Sequence, residues 1–153
     1  MASTLESATL TIRISEEVDL NGKKLGNSNS HDIRGINEVS ERILTIPTTE
    51  IAVLNLGSSV GAGTYVSSSV KYMRLTNLDN SNFVRLTFVS GSAGTPLNRF
   101  DVKLEPQRTM MFTNASISGS AVGKDFNSFS SFDSLKAVAN TASVDLELFV
   151  ASE

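Results

Sequence analysis

Residues 69–105 decide the fold, and they read SVKYMRLTN, LDNSN, FVRLTFV, a Gly/Ser-rich loop and then RFDVKLE. Side chains alternate between the two faces of a strand, so each of the three alternating segments has one apolar and one polar face. The apolar positions include Val84, Leu86 and Phe88 in the second segment and Phe100, Val102 and Leu104 in the third. Together the segments predict an antiparallel meander whose sheet is covered on one side only.

Similar segments run from residue 9 to residue 150, with turn residues between them and no internal repeat or linker. Short strands at this spacing predict an all-β fold, an antiparallel, jelly-roll-like β-sandwich of about eight to ten strands. We expect a single domain over residues 1–153, in which residues 1–7 form a flexible, polar N-terminal arm.

The N-terminal region contains one strong turn signal. Residues 9–14 alternate as a first strand, and Asn21-Gly22 favours a tight turn because both residues tolerate positive φ. A short return strand at residues 23–25 is expected, followed by a polar loop over residues 26–30.

The last strand has the clearest alternation in the chain. The positions expected to face the core are Val144, Leu146, Leu148 and Val150. Phe149 lies on the nominally polar face of this strand, and there it marks a candidate subunit contact.

The composition limits the possible partners. The 153 residues carry a net charge of −3, which predicts no basic footprint for nucleic acid. No apolar run approaches the roughly 18 residues that span a bilayer, and the N-terminus lacks a signal-peptide pattern, so we expect a soluble protein made in the cytosol without a membrane partner. The absence of cysteine excludes disulfides, thiolate metal sites and cysteine nucleophiles.

Residues suited to catalysis or metal binding are few. His31 is the single histidine, and Asp32 is expected on the opposite strand face, where it is badly placed to orient the imidazole. One histidine does not supply a zinc site, and residues 57–63 lack the lysine of a phosphate-binding loop. In residues 77–82 the lone carboxylate of Asp79 favours a turn over a calcium site. The sequence therefore predicts no catalytic, cofactor-binding or metal-binding residues and no enzymatic activity.

Residues 114–134 form a long irregular segment rich in Ser, Gly and Phe. Its Phe126, Phe129 and Phe132 lie three apart, which fits either one face of a short helical turn or a loop folded over an open end of the core. The density of Ser, Asn and Gly favours the loop. Exposure of these rings, or of Tyr65, would favour a glycan-binding role.

Three stretches, residues 71–86, 102–107 and 135–150, carry a resemblance that covers residues 70–150. They resemble small virion structural proteins of tailed bacteriophages, particularly those infecting marine bacteria and cyanobacteria. The resemblance implies a β-sandwich that decorates or cements the capsid, or sits at the neck or tail, usually as a symmetric oligomer. The familiar Leu-x-Pro-Gly turn stands here as Leu104-Glu-Pro106-Gln107, for which a type I turn is expected.

The favoured hypothesis is a non-enzymatic virion protein, made in the host cytoplasm, that decorates or cements a capsid without a cofactor. Its expected partners are the major capsid protein or another virion protein and copies of itself, with a trimer favoured. Residues 1–7 and the strand at residues 9–14 are expected to reach a neighbour. Two alternatives remain open: a receptor- or glycan-binding module of a tail or fibre, and a hydrolase in which His31 is the only plausible base.

Overall fold

The computed structural model describes residues 6–90, 98–113 and 132–153, which contain eleven β-strands. The strands are β1 (Ala8–Leu20), β2 (Lys23–Ile36), β3 (Glu38–Ile46), β4 (Ile51–Gly57), β5 (Thr64–Val66), β6 (Val70–Asn77), β7 (Val84–Ser90), β8 (Asn98–Leu104), β9 (Thr109–Thr113), β10 (Ser134–Ala139) and β11 (Val144–Ser152). Across these ranges no helix is present that could span a membrane. The all-β prediction is confirmed, with one strand more than the upper number expected.

A five-stranded sheet and a four-stranded sheet pack face to face, and the remaining strands β1 and β2 form a separate hairpin. The strand order is β5-β4-β10-β7-β8 in the first sheet and β3-β11-β6-β9 in the second. Neighbouring strands are antiparallel except for β4 and β5, which are parallel. The architecture is the β-sandwich that the alternating pattern predicts.

The main core lies between the two sheets and is built from the alternating apolar positions of both. The predicted inward residues that are buried there are Val84, Leu86, Phe88, Leu104, Val144, Leu146, Leu148 and Val150. Val102 is only partly buried against this core, and Phe100 has 50% of its surface exposed, because β8 is an edge strand of the five-stranded sheet. Alternation therefore predicts the core residues more accurately in central strands than in edge strands.

The meander predicted over residues 69–105 is wrong in its first connection. Strands β7 and β8 pair as an antiparallel hairpin, but β6 lies in the opposite sheet between β11 and β9. Residues 78–83 therefore cross from one sheet to the other. The crossing is held by the buried side chain of Asn77, whose Nδ2 donates to the carbonyl oxygens of Asn82 (2.9 Å) and Leu104 (3.2 Å).

The N-terminal strands also differ from their prediction. Asn21 and Gly22 make the expected tight turn, with φ values of 53° and 78°. The polar loop expected over residues 26–30 is instead part of β2, which pairs with β1 along its length. Gly, Asn and Ser have low strand propensity, and here the pairing with β1 overrides it.

The type I turn expected at Pro106 is also wrong. The Arg108 N–H donates to the Glu105 carbonyl oxygen (3.2 Å), which closes a four-residue turn. Gln107, at the third position, has φ 55°, and positive φ at this position is the mark of a type II turn. Gln107 therefore adopts a left-handed conformation that glycine accommodates best.

Candidate protein interface

Strands β1 and β2 form a hairpin, here called the arm, whose base packs on the outer face of the four-stranded sheet. The base contributes Ile12, Ile33 and Ile36, with Leu10 partly buried, and the sheet contributes Tyr72, Ala151 and Phe149. The Asn37 N–H also donates to the Ser152 carbonyl oxygen (2.9 Å), which fixes the point where β2 turns into β3. The arm thus leaves the sandwich from an anchored apolar base.

Beyond this base the arm extends without cover from the rest of the described chain. Every residue from Arg13 to Asp32 is exposed. Eight residue pairs lie in this part, from Arg13↔Ser30 to Leu20↔Lys23. At about 3.3 Å per residue they span roughly 26 Å. Because an isolated two-stranded hairpin is at best marginally stable in water, a surface that covers the arm would stabilise it.

The register of the arm separates its side chains by chemistry. Directly opposite residues of an antiparallel pair share a face, so the face that is buried at the base continues outward through every second pair. We call this the apolar face, and its outer pairs are Ile14↔Asn29, Glu16↔Asn27, Val18↔Leu25 and Leu20↔Lys23. The polar face has the outer pairs Arg13↔Ser30, Ser15↔Ser28, Glu17↔Gly26 and Asp19↔Lys24.

The apolar face also carries large apolar side chains where it is exposed to water. Its four large side chains have exposed fractions of 40% (Ile14), 55% (Val18), 61% (Leu20) and 46% (Leu25). The polar face has no apolar side chain in the outer part, and its charged residues include the Lys24–Glu17 ion pair (3.8 Å). Several exposed large apolar side chains on one face, with polar residues among them and on the reverse side, are typical of a protein-binding surface.

Position 26 of β2 requires a glycine. Its φ of 154° lies in a range that side chains rarely adopt, and a Cβ at this position would overlap the backbone carbonyl of Glu16. The close approach of the two strands here therefore requires glycine.

Replacing Gly26 with alanine should open the arm without unfolding the sandwich. We expect the local opening free energy of β1 and β2 to fall by more than about 1 kcal/mol, because the new Cβ meets backbone rather than a movable side chain. Amide hydrogen exchange would show faster exchange in the arm and unchanged exchange in β7 and β11. Ser28→Ala, on the polar face, is the control, and equal exchange in the two variants would contradict this role of Gly26.

A groove of about 200 Å³ lies where the arm meets the sheet. Its lining residues are Leu10, Thr11, Ile12, Glu41, Tyr72, Arg74 and Phe149. The Arg74 guanidinium pairs with Glu147 (2.6 Å) and Glu41 (3.7 Å) and lies 5.8 Å from the ring centroid of Phe149. Burial raises the pKa of the Tyr72 phenol against the opposing effect of Arg74. The cation in this groove is therefore already paired.

The arm of the same chain packs on Phe149, the residue predicted to mark a subunit contact. Phe149 is partly buried in the cluster at the base of the arm, and its ring meets that of Tyr72 edge-on at 5.7 Å between centroids. The outer face of a sheet thus gains a second apolar layer, which alternation along β11 does not reveal.

His31 and Asp32 lie on opposite faces of the arm, as the sequence predicts. His31 pairs with Ile12 and is exposed on the apolar face. Asp32 points to the polar face, where its Oδ1 accepts a hydrogen bond from the Thr11 hydroxyl (2.7 Å). The carboxylate therefore does not orient the imidazole.

The turn interpretation of residues 77–82 is confirmed. Asp79 Oδ1 accepts hydrogen bonds from the backbone N–H groups of Asn82 (2.6 Å) and Ser81 (2.7 Å), which together hold the pKa of the Asp79 carboxyl below its ordinary value. Asn77 Oδ1 accepts the Asp79 N–H (2.9 Å). These oxygens are used to hold the crossing between the two sheets.

Asp79→Asn should make the protein less stable at neutral pH, by an amount that shrinks in acid. The folded pKa of Asp79 lies below the ordinary value for an aspartate, so the charged carboxylate stabilises the native state at pH values above that ordinary pKa. The contribution is lost as the pH falls through the lowered folded pKa. Urea unfolding of both proteins from pH 7 to pH 3 measures the difference, and a difference that does not change with pH would contradict this account.

The aromatic residues considered for glycan binding are buried wherever the structure describes them. Tyr65 is packed in the core, and Phe132 is 3% exposed with its ring 5.5 Å from that of Phe88. Phe126, Phe129 and the rest of residues 114–131 lie outside the described residues, and the loop predicted over residues 114–134 ends where Ser134 begins β10. Of the predicted N-terminal arm, residues 1–5 also lie outside them, whereas Glu6 and Ser7 are exposed.

A cationic cluster occupies the outer face of the five-stranded sheet. The carboxylate of Glu50 lies 3.4 Å from Arg99, 3.5 Å from Lys136 and 3.9 Å from Arg85. Three cations therefore share one carboxylate, and their side chains are all at least partly exposed. Exposed pairs of this kind contribute little to stability, and the cluster has no apolar centre comparable to that of the arm.

Comparisons with protein-family models, curated proteins and solved structures found no match to this chain.

Proposed function

We propose that this chain is a non-enzymatic structural protein of a tailed-bacteriophage virion, and that it decorates or cements the capsid through contacts with virion proteins and with copies of itself. The observation that carries the proposal is the arm, which holds an exposed apolar face roughly 26 Å long away from the sandwich. Such a surface serves contacts with other macromolecules.

The energetics favour a protein partner for the arm. Each Val, Leu or Ile contributes about 1.5–3 kcal/mol when it passes from full exposure to full burial. Ile14, Val18, Leu20 and Leu25 have 40–61% of their surface still to bury, so a covering protein gains part of this amount from each. The same contact would order a hairpin that is marginal by itself.

The resemblance to virion proteins concerns the sandwich rather than the arm. Residues 71–86 lie in β6, β7 and their crossing, and residues 135–150 lie in β10 and β11. These strands are central in the two sheets and contribute much of the core. The resemblance therefore supports a virion scaffold, and the arm supplies the contact by which that scaffold joins an assembly.

Protein mass spectrometry of purified virions tests the proposal. Virions of the phage whose genome encodes the chain should contain it in a copy number comparable to that of the major capsid protein. Antibody labelling in electron microscopy should then place it on the head. A chain found in infected-cell lysate but not in virions would overturn the proposal, and labelling confined to tail fibres would overturn its assignment to the capsid.

A further inference from the structure

We infer that the apolar face of the arm binds the same face of a second copy of this chain, with the two arms packed antiparallel about a two-fold axis. This inference rests on the proposed function in that it names one partner of the assembly. It also commits to one geometry, in which the axis passes beside the Val18↔Leu25 pair.

The first support is continuity with a contact that the chain already makes. At the base, Ile12 and Ile33 of the apolar face pack on a β-sheet surface formed by Tyr72, Phe149 and Ala151. The exposed outer part continues the same face of the same two strands. Face-to-face packing of β-layers about 10 Å apart is therefore an arrangement that this surface adopts within the chain.

The second support is that the exposed face is complementary to itself. Its outer pairs contain two ionised side chains, Glu16 and Lys23, which have opposite charge and lie on either side of the Val18↔Leu25 pair. A two-fold axis beside that pair places the Glu16↔Asn27 pair of one arm opposite the Leu20↔Lys23 pair of the other arm. Each Glu16 carboxylate then lies within reach of the other copy's Lys23, while Val18 and Leu25 meet in the centre.

The third support is the position of the remaining charges. The outer polar face carries Arg13, Glu17, Asp19 and Lys24, and in the paired arms this face points to solvent. The pairing therefore covers Val18, Leu20 and Leu25 without removing these four charges from water. Burial of the other face would have to desolvate all of them, which is unfavourable.

The size of the contact predicts a weak, reversible dimer. With the axis beside the Val18↔Leu25 pair, the arms overlap over the five pairs from Glu16↔Asn27 to Leu20↔Lys23. This overlap is about 16 Å long and about 10 Å wide, or roughly 160 Å² of each arm. Two such faces bury less than the roughly 1,200 Å² at the lower limit of standard interfaces. Neighbouring copies fixed on a shell experience effective concentrations in the millimolar range, at which weak contacts are occupied. The pairing is thus suited to linking adjacent copies after they have bound.

Charge reversal combined with sedimentation equilibrium tests the geometry. The full chain should show a concentration-dependent dimer, and Glu16→Lys and Lys23→Glu should each weaken the dimer about tenfold or more by opposing like charges. The double variant Glu16→Lys/Lys23→Glu should restore it, and an equimolar mixture of the two single variants should form a heterodimer. Glu17→Lys, one residue away on the polar face, is the matched control and should dimerise like the wild type.

The outcomes separate this inference from the proposed function. Single variants that dimerise like the wild type, a double variant that is not restored, or a trimer in place of a dimer would overturn the two-fold pairing. A chain that stays monomeric at millimolar concentration but is abundant in virions would overturn the pairing and leave the virion role standing. A chain that dimerises as described but is absent from virions would overturn the virion role and leave the two-fold pairing standing.

Discussion

Replacement of Phe88 with alanine should lower the free energy of unfolding by about 4 kcal/mol. Phe88 is fully buried in β7, and its ring lies 5.9 Å from that of Phe100, 5.7 Å from Phe112 and 5.5 Å from Phe132. Because Phe112 belongs to the four-stranded sheet, this ring cluster joins the two layers. The variant loses the burial of a large side chain and three aromatic contacts and leaves a cavity.

Urea unfolding followed by far-ultraviolet circular dichroism measures the loss. Phe100→Ala is the control, since Phe100 has the same ring chemistry in the same cluster but 50% of its surface exposed. We expect this control to lose only about 1 kcal/mol, from a half-buried side chain and one ring contact. Equal losses in the two variants would mean that Phe88 does not hold the layers together.

Asn77→Ala should lower the free energy of unfolding by about 3 kcal/mol, the second largest effect we expect. The side chain of Asn77 is completely buried, and its amide donates to the carbonyl oxygens of Asn82 and Leu104 while its Oδ1 accepts the Asp79 N–H. Alanine removes all three bonds at once and leaves buried polar groups without these partners. The residues affected hold the crossing from one sheet to the other.

A second variant distinguishes hydrogen bonding from shape. Asn77→Asp keeps the size of the side chain but puts a carboxylate oxygen against two carbonyl oxygens, so it should be at least as destabilising as Asn77→Ala. Asn80→Ala, at an exposed position of the same segment, is the control and should change stability by less than about 0.5 kcal/mol. An Asn77→Ala variant as stable as the Asn80→Ala control would contradict the role of Asn77.

The sequence predicts the strands of this protein better than their partners. Alternation identifies Val84, Leu86 and Phe88 as core residues because burial acts on each strand separately. It does not determine whether β6 pairs with β7 or with β11, since both arrangements bury the same apolar face. The crossing that separates β6 from β7 is held by three hydrogen bonds of Asn77, a residue that in the sequence reads only as part of a turn.

The sequence predicts the β1–β2 hairpin only in part, because it does not extend the return strand through residues 26–30. The Asn21-Gly22 turn is an observable signal, and alternation from Leu10 to Leu20 is consistent with one long strand. The sequence does not predict a strand at residues 26–30, because the intrinsic preference of these residues favours a loop. Pairing with β1 overrides this preference in the structure. In this chain, the tight-turn signal and the apolar alternation of β1 together indicate a hairpin, even though the partner strand β2 is mostly polar.

Site-specific cross-linking gives the most direct test of the interface between copies. The chain has no cysteine, so a single introduced cysteine reports on one position. In the two-fold pairing, Val18 of one copy lies opposite Val18 of the other across the apolar face, whereas Ser15 lies on the polar face. A short bismaleimide cross-linker should therefore convert Val18→Cys into a covalent dimer and leave Ser15→Cys monomeric. Equal cross-linking of the two variants, or none of Val18→Cys, would contradict the account.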